Sequence, residues 1–130
     1  MIKNDLIRSF WDDVVQQNAQ NLKQYFTEDA VIKWHNTNEL FAVEEWIVAN
    51  CEYPGDWIGA VERIVEAGNL LITVTKVMQK EENTAFHTTS FFTFEKDKIA
   101  ELNEYWSEDG QPPKWRLEKK IGCPIIPSKP

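Results

Sequence analysis

From Trp57 to Trp106 the chain is an almost unbroken series of strand-forming runs, and this stretch limits the possible folds more than any other. Ile58 to Ala67 and Leu70 to Met78 are rich in β-branched residues and are separated by Gly68-Asn69, a compact hairpin signal. Gln79 to Asn83 is charged and lacks glycine, so a longer turn is expected there. Ala85 to Phe94 is rich in Thr and Phe. A tight polar turn at Glu95 to Lys98 then leads into a last strand that ends at Tyr105-Trp106. Strands joined in sequence by short turns form an antiparallel meander.

Side chains alternate along a strand, so Ala100, Leu102, Glu104 and Trp106 share one face of the last strand. Three of the four are apolar or aromatic, which favours turning that face inward. Glu104 is then a carboxylate among hydrophobes, where desolvation raises its pKa. The opposite parity buries Ile99, Glu101, Asn103 and Tyr105 and leaves Glu104 in water.

Ahead of the meander the pattern changes. Leu6, Ile7, Phe10, Trp11, Val14 and Val15 recur at three- and four-residue spacing and predict a helix over 3–17. Asn21 to Phe26 predicts a second, short helix, and Ala30 to Trp34 a first strand. Leu40 to Asn50 predicts a third helix, ended by the turn residues Tyr53-Pro54-Gly55-Asp56. Pro113 suits the first position of a last helix, Lys114 to Lys120, followed by an extended apolar tail, Ile121 to Pro127. Helices followed by a contiguous meander form the α+β pattern. One domain over 1–130 is expected.

Charge and motifs exclude several functions. Fourteen Lys and Arg against twenty-one Asp and Glu give a net charge of −7, which argues against nucleic acid as a partner. No apolar run approaches the roughly 20 residues of a membrane span, and the amino terminus lacks the apolar core of a signal peptide. A cytoplasmic protein with free thiols at Cys51 and Cys123, no membrane partner and no cofactor is the expectation. His35 and His87 are the only histidines, too few for a histidine metal site, and no acidic cluster completes one. There is no phosphate loop, nucleophile elbow or dinucleotide fingerprint.

Lys98 to Glu108, with its Tyr-Trp-Ser-Glu ending, resembles the closing strand of the nuclear transport factor 2-like superfamily, which includes SnoaL-like polyketide cyclases and ketosteroid isomerases. Phe26-Thr27-Glu28-Asp29-Ala30-Val31-Ile32 resembles the same group's junction between helix and first strand. The resemblance implies N-terminal helices packed in a cone against a strongly curved, mostly antiparallel sheet, with one interior pocket. It also places His87 where the isomerases keep a pocket acid, Glu104 where the cyclases carry an acid/base residue, and Trp106 on the pocket wall. The isomerase base on the first strand is replaced by Trp34, with His35 beside it, and its helix tyrosine falls near Phe10. These departures argue against steroid isomerisation by that route.

The expected site is therefore a pocket lined by Trp34, His35, Tyr53, Trp57, Phe91 and Trp106, with His87 and Glu104 as a proton-transfer pair if they meet. The ligand expected is small and apolar or aromatic. A cofactor-independent isomerase, cyclase or dehydratase fits this reading. The alternative is a non-catalytic homodimerisation or interaction module with a packed interior. Ile72, Val74, Met78 and Phe91 add a second apolar face to the sheet. That face predicts a homodimer through the outer sheet surface, or a cover formed by the tail from Ile121 to Pro127.

Overall fold

The repeating apolar positions near the amino terminus form α1, Lys3–Gln16, with Leu6, Ile7, Phe10, Trp11 and Val14 buried along one stripe. The computed structural model describes residues 3–81 and 83–127. A short α2, Ala19–Leu22, and a 3-10 turn, Lys23–Tyr25, lead into β1, Phe26–Trp34. The remaining strands are β2 (Glu39–Ala42), β3 (Trp57–Ala67), β4 (Leu70–Gln79), β5 (Ala85–Glu95) and β6 (Lys98–Glu108). Between β2 and β3 lies α3, Val43–Cys51, and α4, Lys114–Lys119, follows the sheet.

The six strands form one sheet in the order β2-β1-β6-β5-β4-β3. β3 to β6 are the antiparallel meander expected from the sequence. β1 pairs with β6 in parallel and β2 pairs with β1 antiparallel, so the sheet is mixed but mostly antiparallel. Register shifts interrupt β3 between Val61 and Arg63 and the β5–β6 pair between Thr93 and Phe94. Bulges of this kind bend strands and add twist. With the N-terminal helices laid on one face, this is the α+β cone.

Three expectations shift in detail. The first strand starts at Phe26, not Ala30, and the second helix ends at Leu22 before a 3-10 turn. Glu39–Ala42 is a strand, not the first turn of a helix, and Leu40 is exposed. Asn38 takes a left-handed conformation (φ 55°) that redirects the chain along β1. The helix starts only at Val43, where the Ala42 N–H donates to the Glu45 carboxylate at 2.9 Å. On β6, the register shift turns Ile99 inward as well as Leu102 and Glu104.

The core is aromatic and centres on Phe10. Its ring meets Trp11, Tyr25, Phe26 and Phe92 edge-on and stacks on Trp46 at 5.9 Å. Along β4 and β5 the buried residues alternate strictly: Leu71, Thr73, Thr75 and Val77, then Thr88, Ser90, Phe92 and Phe94. Gly59 sets the distance between α1 and β3, because a Cβ there would lie 2.9 Å from Val15 Cγ1.

The outer face keeps Ile72, Val74, Met78 and Phe91 half-buried and Ile58, Val65 and Tyr105 exposed. The tail does not cover it: Ile121, Ile125 and Ile126 are themselves exposed. Among the described residues no helix is long and apolar enough to cross a membrane.

Candidate functional site

Strand register brings Thr73, Ser90, Glu104 and Trp34 into one row across β4, β5, β6 and β1 on the inner face of the sheet. Glu104 is 2% exposed. Its Oε2 accepts a hydrogen bond from Ser90 Oγ at 2.6 Å and its Oε1 accepts one from Trp34 Nε1 at 3.1 Å. Among the described residues no cation pairs with it. Burial pushes the carboxyl from 4.5 up to about 7, against the opposing pull of the two hydrogen bonds. A group held there exchanges protons near neutrality. Farther along the row, Trp11 Nε1 donates to Thr73 Oγ1 at 3.3 Å.

The next row toward the open end of the sheet is Thr75, Thr88 and Trp106. The Thr75 and Thr88 hydroxyls and Trp106 Nε1 are buried without a hydrogen-bond partner among the described protein groups. Buried polar groups are usually paired, so an inner face that keeps three unpaired is not built for stability alone.

Beyond that row the interior opens into a cavity of about 260 Å³. Val14 and Val15 of α1 form one side, with Val77 of β4 opposite. Aromatic rings make a continuous arc around the rest. Tyr53 lies 5.7 Å from Trp57, Trp57 lies 6.0 Å from Phe86, and Phe86 lies 6.1 Å from Trp106. Trp106 in turn lies 6.3 Å from Trp34. All five rings line the cavity. Trp57 is held by its Nε1–H, which donates to Pro54 O at 3.1 Å.

Thr37 and three amides complete the lining, and each amide has its orientation set by the backbone. Gln17 Nε2 donates to the carbonyls of Asn50 and Tyr53, at 2.9 and 2.7 Å. Asn50 Nδ2 donates to Val14 O at 3.1 Å. Asn36 Oδ1 accepts the N–H of Trp106 at 2.6 Å. Among the described residues no Lys, Arg, His, Asp or Glu lines the cavity. Among the described residues no cluster of His, Cys, Asp and Glu is arranged to hold a metal ion.

No family model matches the chain, and no curated protein matches its sequence. Solved structures do match. A ketosteroid isomerase candidate from Kribbella flavida aligns at 19% identity over 98% of this chain and 90% of its own, with a TM-score of 0.74. A SnoaL-like polyketide cyclase candidate from Jannaschia aligns at 11% identity over 81% of this chain and 85% of its own, with a TM-score of 0.70. A protein of ketosteroid isomerase-like fold from Catenulispora acidiphila, in complex with trimethylamine, aligns at 15% identity. That match covers 78% of this chain and 84% of the other, with a TM-score of 0.64. The chain has the nuclear transport factor 2-like fold.

Within this nuclear transport factor 2-like cone the residues singled out from sequence divide cleanly. Trp34, Tyr53, Trp57 and Trp106 stand on the cavity wall. Glu104 faces inward and reaches the cavity only through the Trp34 indole. His87 does not join it. Strand parity puts Ser90 opposite Glu104 and His87 opposite Ser107, on the outer face. There His87 lies between Asp109, 2.5 Å from its Nδ1, and Glu62, 3.2 Å from its Nε2.

His35 and Phe91 are also outside the cavity. His35 stacks on Tyr105 with ring centres 4.3 Å apart and shares a hydrogen bond of 2.7 Å with Asn103. Phe91 meets the edge of the same Tyr105 at 5.9 Å. The lining residues missed from sequence are Phe86, the valines Val14, Val15 and Val77, Thr37, and the amides Gln17, Asn36 and Asn50. Gln17 ends α1 in a left-handed conformation (φ 56°) that strand and helix patterns do not show. Phe86 shares a strand with His87, and the parity that excludes the histidine admits the ring.

Proposed function

We propose that the chain binds a small, largely apolar molecule in this cavity. One observation carries the proposal: a cavity of about 260 Å³ walled by five aromatic rings lies at the open end of the cone. Apolar walls with a few placed polar groups are the usual form of a small-molecule site. The volume is just under the usual range of about 300–1,000 Å³, which favours a ligand smaller than a typical drug. The trimethylamine held by the Catenulispora acidiphila protein supports small-ligand binding as a use of this fold.

Turnover is the less direct use of the site. Glu104 is the proton carrier the site offers, but Trp34 occupies one of its oxygens and stands on the cavity wall. Proton transfer to a bound molecule requires the indole to give up that hydrogen bond. Binding is therefore the function the geometry supports best. We further propose that two copies pair through the outer sheet face, whose apolar side chains neither the helices nor the tail cover.

A thermal-shift panel of small aromatic and aliphatic compounds tests the binding proposal. A ligand that binds only the folded state raises the melting temperature with concentration. The shift should shrink in Trp57→Ala, and tryptophan fluorescence should change on binding in the unmutated chain. A panel that gives neither signal overturns the proposal.

A further inference from the structure

We infer that the cavity selects a small organic cation, an alkylammonium head carrying one short substituent, over neutral molecules of the same shape. The inference rests on the binding role proposed above and names the chemistry of the ligand.

The first ground is the wall. Tyr53, Trp57, Phe86, Trp106 and Trp34 form an unbroken arc in which each ring meets the next at 5.7–6.3 Å. The face of an aromatic ring carries the negative part of its quadrupole. Several rings around one space attract a desolvated cation more than any neutral group.

The amides supply the second ground. Gln17 gives its N–H groups to two backbone carbonyls, and Asn50 gives one to a third. These partners are acceptors, so the amide nitrogens must face them and the amide oxygens face away. Gln17 Oε1 and Asn50 Oδ1 receive no hydrogen bond from a described group, and neither is buried out of reach. Both residues line the cavity, so each has a carbonyl oxygen free to turn toward a positive group there. Asn36 spends its oxygen on the Trp106 N–H and keeps its amide N–H groups for an acceptor on the substituent.

The third ground is charge. Among the described residues no Lys, Arg or His lines the cavity to repel a cation. Glu104, hydrogen-bonded to the edge of one wall ring, adds no positive charge in either protonation state. The net charge of −7 also raises the local concentration of cations around the whole molecule. A neutral ligand of the same shape uses the apolar surface and the polar groups but gains nothing from the ring quadrupoles or the net charge, and an anion is opposed by both.

The test compares choline with dimethylbutanol, its neutral isostere, in which a tert-butyl group replaces the trimethylammonium group. Both are titrated into the full chain by calorimetry and by tryptophan fluorescence. Choline should bind at least about tenfold more tightly, the scale of one desolvated cation–π contact. The preference should fall toward unity in Trp57→Leu, which keeps apolar bulk and removes a ring. Equal or tighter binding of dimethylbutanol overturns the inference and leaves small-molecule binding standing. Binding of neither at millimolar concentration also overturns it, and the neutral aromatic panel then decides the broader reading on its own. If Trp57→Leu fails to fold, Phe86→Leu replaces it, and an undiminished preference in the folded variant overturns the inference.

Discussion

Glu104→Gln separates the cost of burying this carboxyl from everything else in the core. The amide keeps the size of the acid, and its oxygen can still accept from Trp34 Nε1. Its nitrogen can donate to Ser90 Oγ, because a hydroxyl reverses its role. In the unmutated protein the folded state holds the Glu104 proton up to about pH 7, whereas the unfolded chain releases it near 4.5. Below 4.5 both states are protonated and the group has no effect on stability. As pH rises from there to about 7, the unfolded state loses its proton first, so stability falls; above 7 the loss is complete.

At about 1.4 kcal/mol per tenfold change in proton affinity, moving the carboxyl from 4.5 to about 7 costs about 3 kcal/mol near pH 8. The glutamine has no such cost. Urea unfolding followed by tryptophan fluorescence, on both proteins across the acid-to-neutral range, measures the difference. Taking the difference cancels other titrating groups such as Glu101, whose carboxyl is held below its ordinary value chiefly by the Asn103 amide. The two proteins should match within about 1 kcal/mol near pH 4 and diverge by about 3 kcal/mol in favour of the variant near pH 8. Parallel stability curves, or a variant less stable at pH 8, would show that Glu104 is ionised and well solvated in the folded state.

His87→Gln removes two half-exposed polar contacts, to Glu62 and Asp109, and should cost no more than about 1 kcal/mol. Ligand affinity should be unchanged by titration, and a tenfold loss would put His87 in the site after all. Gly59→Ala sets a methyl 2.9 Å from Val15 Cγ1, so α1 must shift. About 1–3 kcal/mol of overpacking is expected by chemical denaturation, together with weaker ligand binding, because Val15 lines the cavity. Wild-type stability and affinity in that variant would show that the helix gives way freely. Light scattering at micromolar concentration should return twice the chain mass of 15.2 kDa, and Phe91→Asp should return a single mass. A single mass for the unmutated chain would rule out the dimer.

The meander and the amphipathic first helix were readable because each repeats its period over ten or more residues. The inward parity of Glu104 followed from three apolar neighbours on alternate positions. What the same reasoning missed has physical causes. Leu40 and Phe41 read as helix because a four-residue strand is too short to display its own period, and Asn38 redirects the chain through a left-handed conformation. The family resemblance pairs His87 with Glu104 by correspondence across a hairpin. The register is decided by which residues pair, and a one-place change of partner sends a side chain to the other face. The amides of the cavity come from the end of α1, the end of α3 and the turn after β1. Their placement depends on three distant segments meeting, which local periodicity does not record.

The Trp34–Glu104 hydrogen bond joins residues 70 positions apart, and the parallel pairing beneath it ties β1 to the final strand. During synthesis β1 can pair with β2 at once, but its other neighbour in the sheet, β6, emerges long afterwards. β3, β4 and β5 can zip together through short turns in the meantime, but β1 must wait for β6. Contacts this distant in sequence form late and slowly. Two walls of the cavity, Trp34 and Trp106, come from the two strands that meet last. The binding site is thus a product of the closing step in folding, and a ligand held there stabilises the completed chain but none of its shorter nascent forms.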